Sequence, residues 1–121
     1  MLLDSADTVL GLQPDHARLM DLGQSVGVVH VGPHASDTSQ PGVVVRAFAA
    51  PMGNLEDPVT GTLNASLAEW LIADGRAPRS YLVAQGECLG RAGRVHIRQD
   101  DHQQIWVGGQ AVTCIEGSVL L

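Results

Sequence analysis

The sequence predicts an α+β domain: a strongly curved, mostly antiparallel sheet or barrel wrapped around one central helix at about residues 61–73. Three observations predict it. Several short runs rich in β-branched residues are separated by turn residues, as strands should be. One segment, Leu63 to Ile72, repeats apolar residues at helical spacing on nearly every side, and such a helix is usually buried. Aromatic residues make up only 3%, so the core must be built from Val, Leu, Ile and Ala, which suits strands packed on a helix.

The elements follow in order. Pro14 to Gly23 reads as a short helix, with Leu12, Ala17, Leu19, Met20 and Leu22 as its apolar set. Val26–Val31 is a β-branched run ended by Gly32-Pro33. His34 to Gly42 is rich in Ser, Thr, Asp and Pro and reads as an exposed loop. Val43–Ala49 is a second strand, and Pro51 to Asn54 turns the chain. The segment Glu56 to Thr62 then leads into the apolar helix, which stops at Asp74-Gly75. Tyr81–Gly86 is a third strand. Arg94–Arg98 alternates polar and apolar, as a half-buried strand does. Gln104–Gly108, Ala111–Gly117 and Ser118–Leu121 read as the closing strands.

The 121 residues suffice for one domain with a real core. Thirteen acids against seven bases give a net charge of −6, and all seven bases are Arg. That balance argues against a nucleic-acid or anionic-membrane partner, since phosphate binding needs a basic stripe. Without Lys there is no Schiff-base nucleophile and no P-loop lysine. No apolar run approaches the roughly 18 residues of a membrane span. Residues 1–7 hold two acids and no basic stretch, unlike a signal peptide, so the expected location is cytoplasmic.

The chemistry concentrates between Arg46 and Thr62. This stretch places carboxylates, hydroxyls and backbone N–H groups at the start of a helix. Such a helix end carries partial positive charge and unpaired donors and accepts anions, such as a substrate carboxylate. Gly61 allows a ligand close to the backbone. Asp57 stands near enough to exchange a proton with a ligand held there. The same residues have a plainer reading, in which Asp57 is the helix N-cap and Pro58 its first turn.

The string RAFAAPMGNLEDPVTGT, followed by an apolar helix, resembles the PhzF-type phenazine-biosynthesis isomerase family. The later YLVAQGECLGRAGRVHI and IWVGGQAVTCIEGSVLL are similar to that family's closing segments. The resemblance runs in order over residues 43–121, and 8–42 fits the family's lead-in. It implies a lobe like those of diaminopimelate epimerase, two of which enclose an active site. By the same resemblance, Asp57 matches a substrate-contacting acid and Thr60 and Gly61 match the turn presenting backbone N–H groups. Thr62 stands where the family usually has Ser.

The family's first lobe, with its principal acid/base glutamate and Gly-His turn, has no counterpart here. The family's reaction moves a proton within a small amino-bearing hydroxylated carboxylic acid, and implies no metal and no organic cofactor. In the related fold the end of the chain adds a strand to the first lobe. Ser118–Leu121 is therefore expected to pair with another chain in a homodimer, bringing two Asp57–Thr62 turns towards one cleft. The alternative is a non-catalytic small-anion-binding or interaction module.

The remaining candidates carry less. The five histidines (16, 30, 34, 96, 102) form no metal-ligand spacing. Cys88 and Cys114 read as buried or bystander thiols. Gly86, Gly90 and Gly93 lack the strand–helix context of a dinucleotide site. Gly108-Gly109 reads as a bulge or a close backbone approach near the cleft, which makes Gly109 a substrate-binding candidate.

Overall fold

The computed structural model of the chain describes residues 1–120. Its elements are α1 (Ala6–Gly11), α2 (His16–Asp21), β1 (Val26–Val31), β2 (Val43–Ala49), β3 (Asn54–Asp57), α3 (Gly61–Ala73), β4 (Ser80–Gln85), β5 (Gly93–Gln99) and β6 (Ile105–Gly108). The strands form one mixed sheet in the order β1-β2-β4-β5-β6, with β3 paired to β2 off this path. All pairings are antiparallel except β2 with β4, which is parallel and spanned by the α3 crossover. A parallel pair needs such a connection, because a hairpin cannot join it.

The sheet curves around α3. Leu67, Ala68 and Leu71 of the helix share one core with Val29 of β1, Val43 and Val45 of β2, Tyr81 and Val83 of β4, and Val95 and Ile97 of β5. Ile105 of β6 packs against the same cluster. The expected wrapping is therefore present, but α3 is not enclosed all round. Thr62, Ser66, Glu69, Trp70 and Ala73 recur at helical spacing and are exposed along one side.

The other face of β1 and β2 is covered as well. Val9 of α1 packs with Val28 and Phe48, joined by Leu3, Leu12, Leu19, Val26 and Val44. β2 thus lies between α3 on one side and α1 and α2 on the other. This is why Val43 to Phe48 is almost continuously apolar, where a half-exposed strand would alternate. β5, solvated on one face, buries Val95 and Ile97 and exposes Arg94, His96 and Arg98.

Four expectations are corrected here. Ala6–Gly11, left unassigned by periodicity, is a helix whose N-cap Ser5 accepts from the Thr8 N–H. Asn54–Asp57 is a strand rather than a lead-in to the helix. Ala111–Gly117 and Ser118–Leu120 form no strand, and every residue from Ala111 to Leu120 is exposed; Leu121 lies outside the described residues. A strand persists only on a ladder partner, and this segment meets none among the described residues. Finally, Cys88 and Cys114 are both free thiols at the surface, which removes the buried half of the buried-or-bystander reading. Among the described residues no helix is long and apolar enough to cross a membrane.

Candidate functional site

The site begins with Arg46. Its place in β2 points it to the α1 side of the sheet, where it is buried. The guanidinium donates Nε to Glu56 Oε1 at 2.9 Å and a second nitrogen to Oε2 at 2.8 Å, a two-pronged ion pair. Its remaining nitrogen donates to the carbonyls of Val9, Leu10 and Leu12, which the end of α1 leaves unpaired. The hydrogen-bonded Glu56 carboxylate holds the guanidinium above its ordinary pKa. The ring of Phe48 lies 4.9 Å beneath it. Arg46 thereby fixes α1, β2 and β3 to one another, and Asp57 is the residue after Glu56.

From Asp57 the chain runs through Pro58 and Val59 into α3. The N-cap of α3 is Thr60, not Asp57, and no side chain caps the helix. The Thr60 hydroxyl instead donates to Asp57 Oδ2 at 2.7 Å. The N-cap reading of Asp57 is thus overturned: β3 extends to Asp57, so the helix starts three residues too late for it. The N–H groups of Gly61, Thr62 and Leu63 are the first three of the helix, and no acceptor reaches them among the described residues.

Two buried amides hold this turn from beneath. Gln85, at the end of β4, accepts the Thr60 N–H at 3.3 Å and donates to the Asp57 carbonyl at 2.9 Å and to Thr60 Oγ1 at 3.0 Å. Asn64 donates to the Thr60 carbonyl and to Gln85 Oε1, both at 2.9 Å. Each residue is 1% exposed. The turn also rests on two glycines. A Cβ on Gly86 would stand 2.7 Å from the Pro58 carbonyl oxygen, and one on Gly93 would stand 2.5 Å from Val59 Cγ2. Gly86 and Gly93 therefore serve close backbone packing under the Asp57–Thr60 turn.

Above the turn lies a cleft of about 440 Å³ between β1, the end of β2 and the start of α3. Asp57, Thr60 and Thr62 line it, with Ser25, Met52 and Ser66 among the other walls. Gly27 opens its floor: a Cβ there would stand 2.5 Å from Leu63 Cδ1, and the Leu63 side chain would have to shift. Of the residues singled out from sequence, Asp57, Thr60 and Thr62 meet in this cleft. Gly61 lies between two of them in sequence but is not among the lining residues, and a Cβ there would meet open space. Gly109 is not among the lining residues; it follows β6, with the Arg94 carbonyl as its near neighbour. Gln85, Asn64, Ser25 and Ser66 were not anticipated. Only the polar residues inside two apolar elements, Asn64 in α3 and Gln85 in β4, could have signalled the first pair.

Chemically, the arrangement offers three backbone donors at the positive end of a thirteen-residue helix beside one carboxylate. It can receive an anionic group and hold Asp57 against it. Among the described residues, no three His, Cys, Asp or Glu side chains converge to hold a metal ion.

Comparisons with known proteins bear on the family and the fold. The family model described as "Phenazine biosynthesis-like protein" matches residues 1–117. An uncharacterized isomerase of Deinococcus radiodurans is 36% identical over 125 aligned residues, covering 96% of this chain and 40% of the relative. An uncharacterized isomerase of Pseudomonas aeruginosa is 31% identical, covering all of this chain and 43% of the relative. A crystal structure of a PhzF-family phenazine biosynthesis protein from Enterococcus faecalis superposes with a TM-score of 0.73 at 24% identity, covering 99% of this chain and 43% of that one. A putative PhzC/PhzF protein from Clostridium difficile gives 0.71 at 23% identity, over 100% of this chain and 44% of that one. The chain spans about two-fifths of the length of the relatives it matches.

Proposed function

Because the chain belongs to the phenazine biosynthesis-like (PhzC-PhzF) family, we propose that the mouth of α3 is half of an isomerase site for a small amino- or hydroxy-carboxylic acid. The N–H groups of Gly61, Thr62 and Leu63 donate to the ligand carboxylate, and Asp57 exchanges a proton with the same ligand. The observation that carries this reading is the conjunction of unpaired donors in the first turn of α3 with a half-buried carboxylate, Thr62, Leu63 and Asp57 all lining one cleft. The Thr62 hydroxyl stands at that mouth with a methyl group beside it, which narrows the cleft relative to Ser. An isomerase needs a second proton-handling group on the opposite side of its ligand. In this reading a second copy of the chain supplies it in a homodimer. Val112, Ile115, Val119 and Leu120, all exposed, support such an association through the C-terminal segment.

A second reading keeps the anion site without turnover, as a small-ligand-binding or interaction module.

A thermal-shift screen with small hydroxy- and amino-carboxylic acids tests the shared claim. A ligand at about 100 times its Kd stabilises the folded state by about 2.7 kcal/mol. Wild type is expected to respond to at least one acid, and Asp57→Asn to respond less. Incorporation of solvent deuterium into that acid, absent with Asp57→Asn, selects the isomerase over the module. No response from wild type to any acid overturns both.

A further inference from the structure

We infer that Gln85 and Asn64 fix the direction of the hydrogen-bond chain that ends on Asp57, leaving Oδ1 as the carboxyl oxygen through which Asp57 gains or loses a proton. The inference rests on the reading of Asp57 as the proton-handling group of the α3 mouth.

The direction follows from partners that can act in only one sense. The Thr60 backbone N–H can only donate, so the Gln85 atom facing it at 3.3 Å must be the carbonyl oxygen. The Asp57 and Thr60 backbone carbonyls can only accept. The Gln85 atom facing Asp57 O and the Asn64 atom facing Thr60 O must therefore be the amide nitrogens. Turning the Gln85 amide over would set its N–H groups against the Thr60 N–H and the Asn64 amide, and its oxygen against the Asp57 carbonyl. Both amides are buried, so water cannot relieve that mismatch.

With Gln85 fixed, its Nε2 donates to Thr60 Oγ1 at 3.0 Å. A threonine hydroxyl has one proton. Its oxygen already accepts from Gln85, and the proton points to Asp57 Oδ2 at 2.7 Å. Oδ2 is thereby an obligate acceptor. No donor reaches Oδ1 among the described residues. A proton taken from a bound acid leaves its bonding pair on the ligand and forms a new O–H at Oδ1. The second proton-handling group delivers a proton to that bonding pair from the opposite side, and loss of the Oδ1 proton to water restores the carboxylate, so the cycle balances. Gln85 and Asn64 are positioning residues: neither is among the cleft-lining residues, and they decide through Thr60 which lone pair of Asp57 is available.

The test uses the ligand-free full chain at neutral pH, so that its failure is distinct from failure of the ligand screen. NMR couplings across hydrogen bonds are measured from Gln85 Nε2 to the Asp57 carbonyl carbon and from the Thr60 amide to Gln85 Cδ. The Asp57 carboxyl ¹³C resonance is compared in wild type, Thr60→Ser, Thr60→Val and Gln85→Glu. Both couplings are expected in wild type. The carboxyl resonance should stay in place with Thr60→Ser, which keeps the hydroxyl. It should move with Thr60→Val, which lacks it, and with Gln85→Glu, whose extra oxygen draws the Thr60 proton away from Asp57. A missing coupling in wild type overturns the inference, as does an Asp57 resonance indifferent to Thr60→Val. Should Gln85→Glu not fold, the Ser/Val pair at Thr60 decides.

Discussion

Tyr81 is the only tyrosine in the chain, and it stands in the α3 core at 2% exposure. Burial pushes its phenol up to about 12. The folded state therefore binds this proton more tightly than the unfolded chain, whose phenol titrates near 10. Stability from this group is fully present below about pH 10 and is lost as pH rises through about 12. The amount at stake is roughly 2 to 3 kcal/mol. Alkaline titration followed by tyrosinate absorbance should show no ionisation near pH 10, and denaturant midpoints should fall between about pH 10 and 12. Other single residues were legible to different depths. Asp57, Thr60 and Thr62 stand within seven residues of one another in a stretch whose chemistry is local, so sequence marks them. Gln85 reaches the same site from twenty-five residues away, and nothing near it in the chain announces that contact. Gly109 was drawn in by the Gly108-Gly109 pair read as a close backbone approach, and its surroundings lie by Arg94, away from the cleft-lining set.

At the scale of elements, helical spacing located α3 and alternation located β5, each of which buries one face, while β1 and β2 were marked by their β-branched runs. α1 has six residues and one buried side chain, too little for a period to emerge. β3 has four residues and is placed by its pairing with β2 and by the Arg46–Glu56 pair, both of them contacts at a distance. The β-branched residues of Ala111–Gly117 have strand propensity without a ladder, and propensity alone does not make a strand. The turn before α3 depends on Gly86, whose φ of +91° suits glycine and whose missing Cβ admits the Pro58 carbonyl. Gly86→Ala should cost about 2 kcal/mol in urea unfolding. It should also weaken carboxylic-acid binding, because the Pro58 loop carries both Asp57 and the α3 mouth. Unchanged affinity in a destabilised Gly86→Ala protein would separate the loop from the site.

For the whole molecule, the sheet leaves two features open: the exposed side of α3 and the unpaired segment after β6. The exposed side of α3 was not legible, since Trp70 and Ala73 look like core residues at helical spacing. Which side of a helix a sheet leaves bare is decided by strands far apart in sequence. Deleting residues 110–121 should leave the thermal midpoint of dilute protein unchanged, because no described residue there packs on the core. It should abolish self-association in light scattering at tens of micromolar. A full-length chain already monomeric at that concentration would contradict the proposed homodimer. The claim on which the account turns is that the open amides at the start of α3 receive a carboxylate. Backbone ¹H–¹⁵N spectra recorded while small hydroxy- and amino-carboxylic acids are titrated in test it most directly. Saturable shifts centred on Gly61, Thr62 and Leu63, and reduced in Asp57→Asn, are the expected result. Shifts that map elsewhere, or none with any acid, would contradict it.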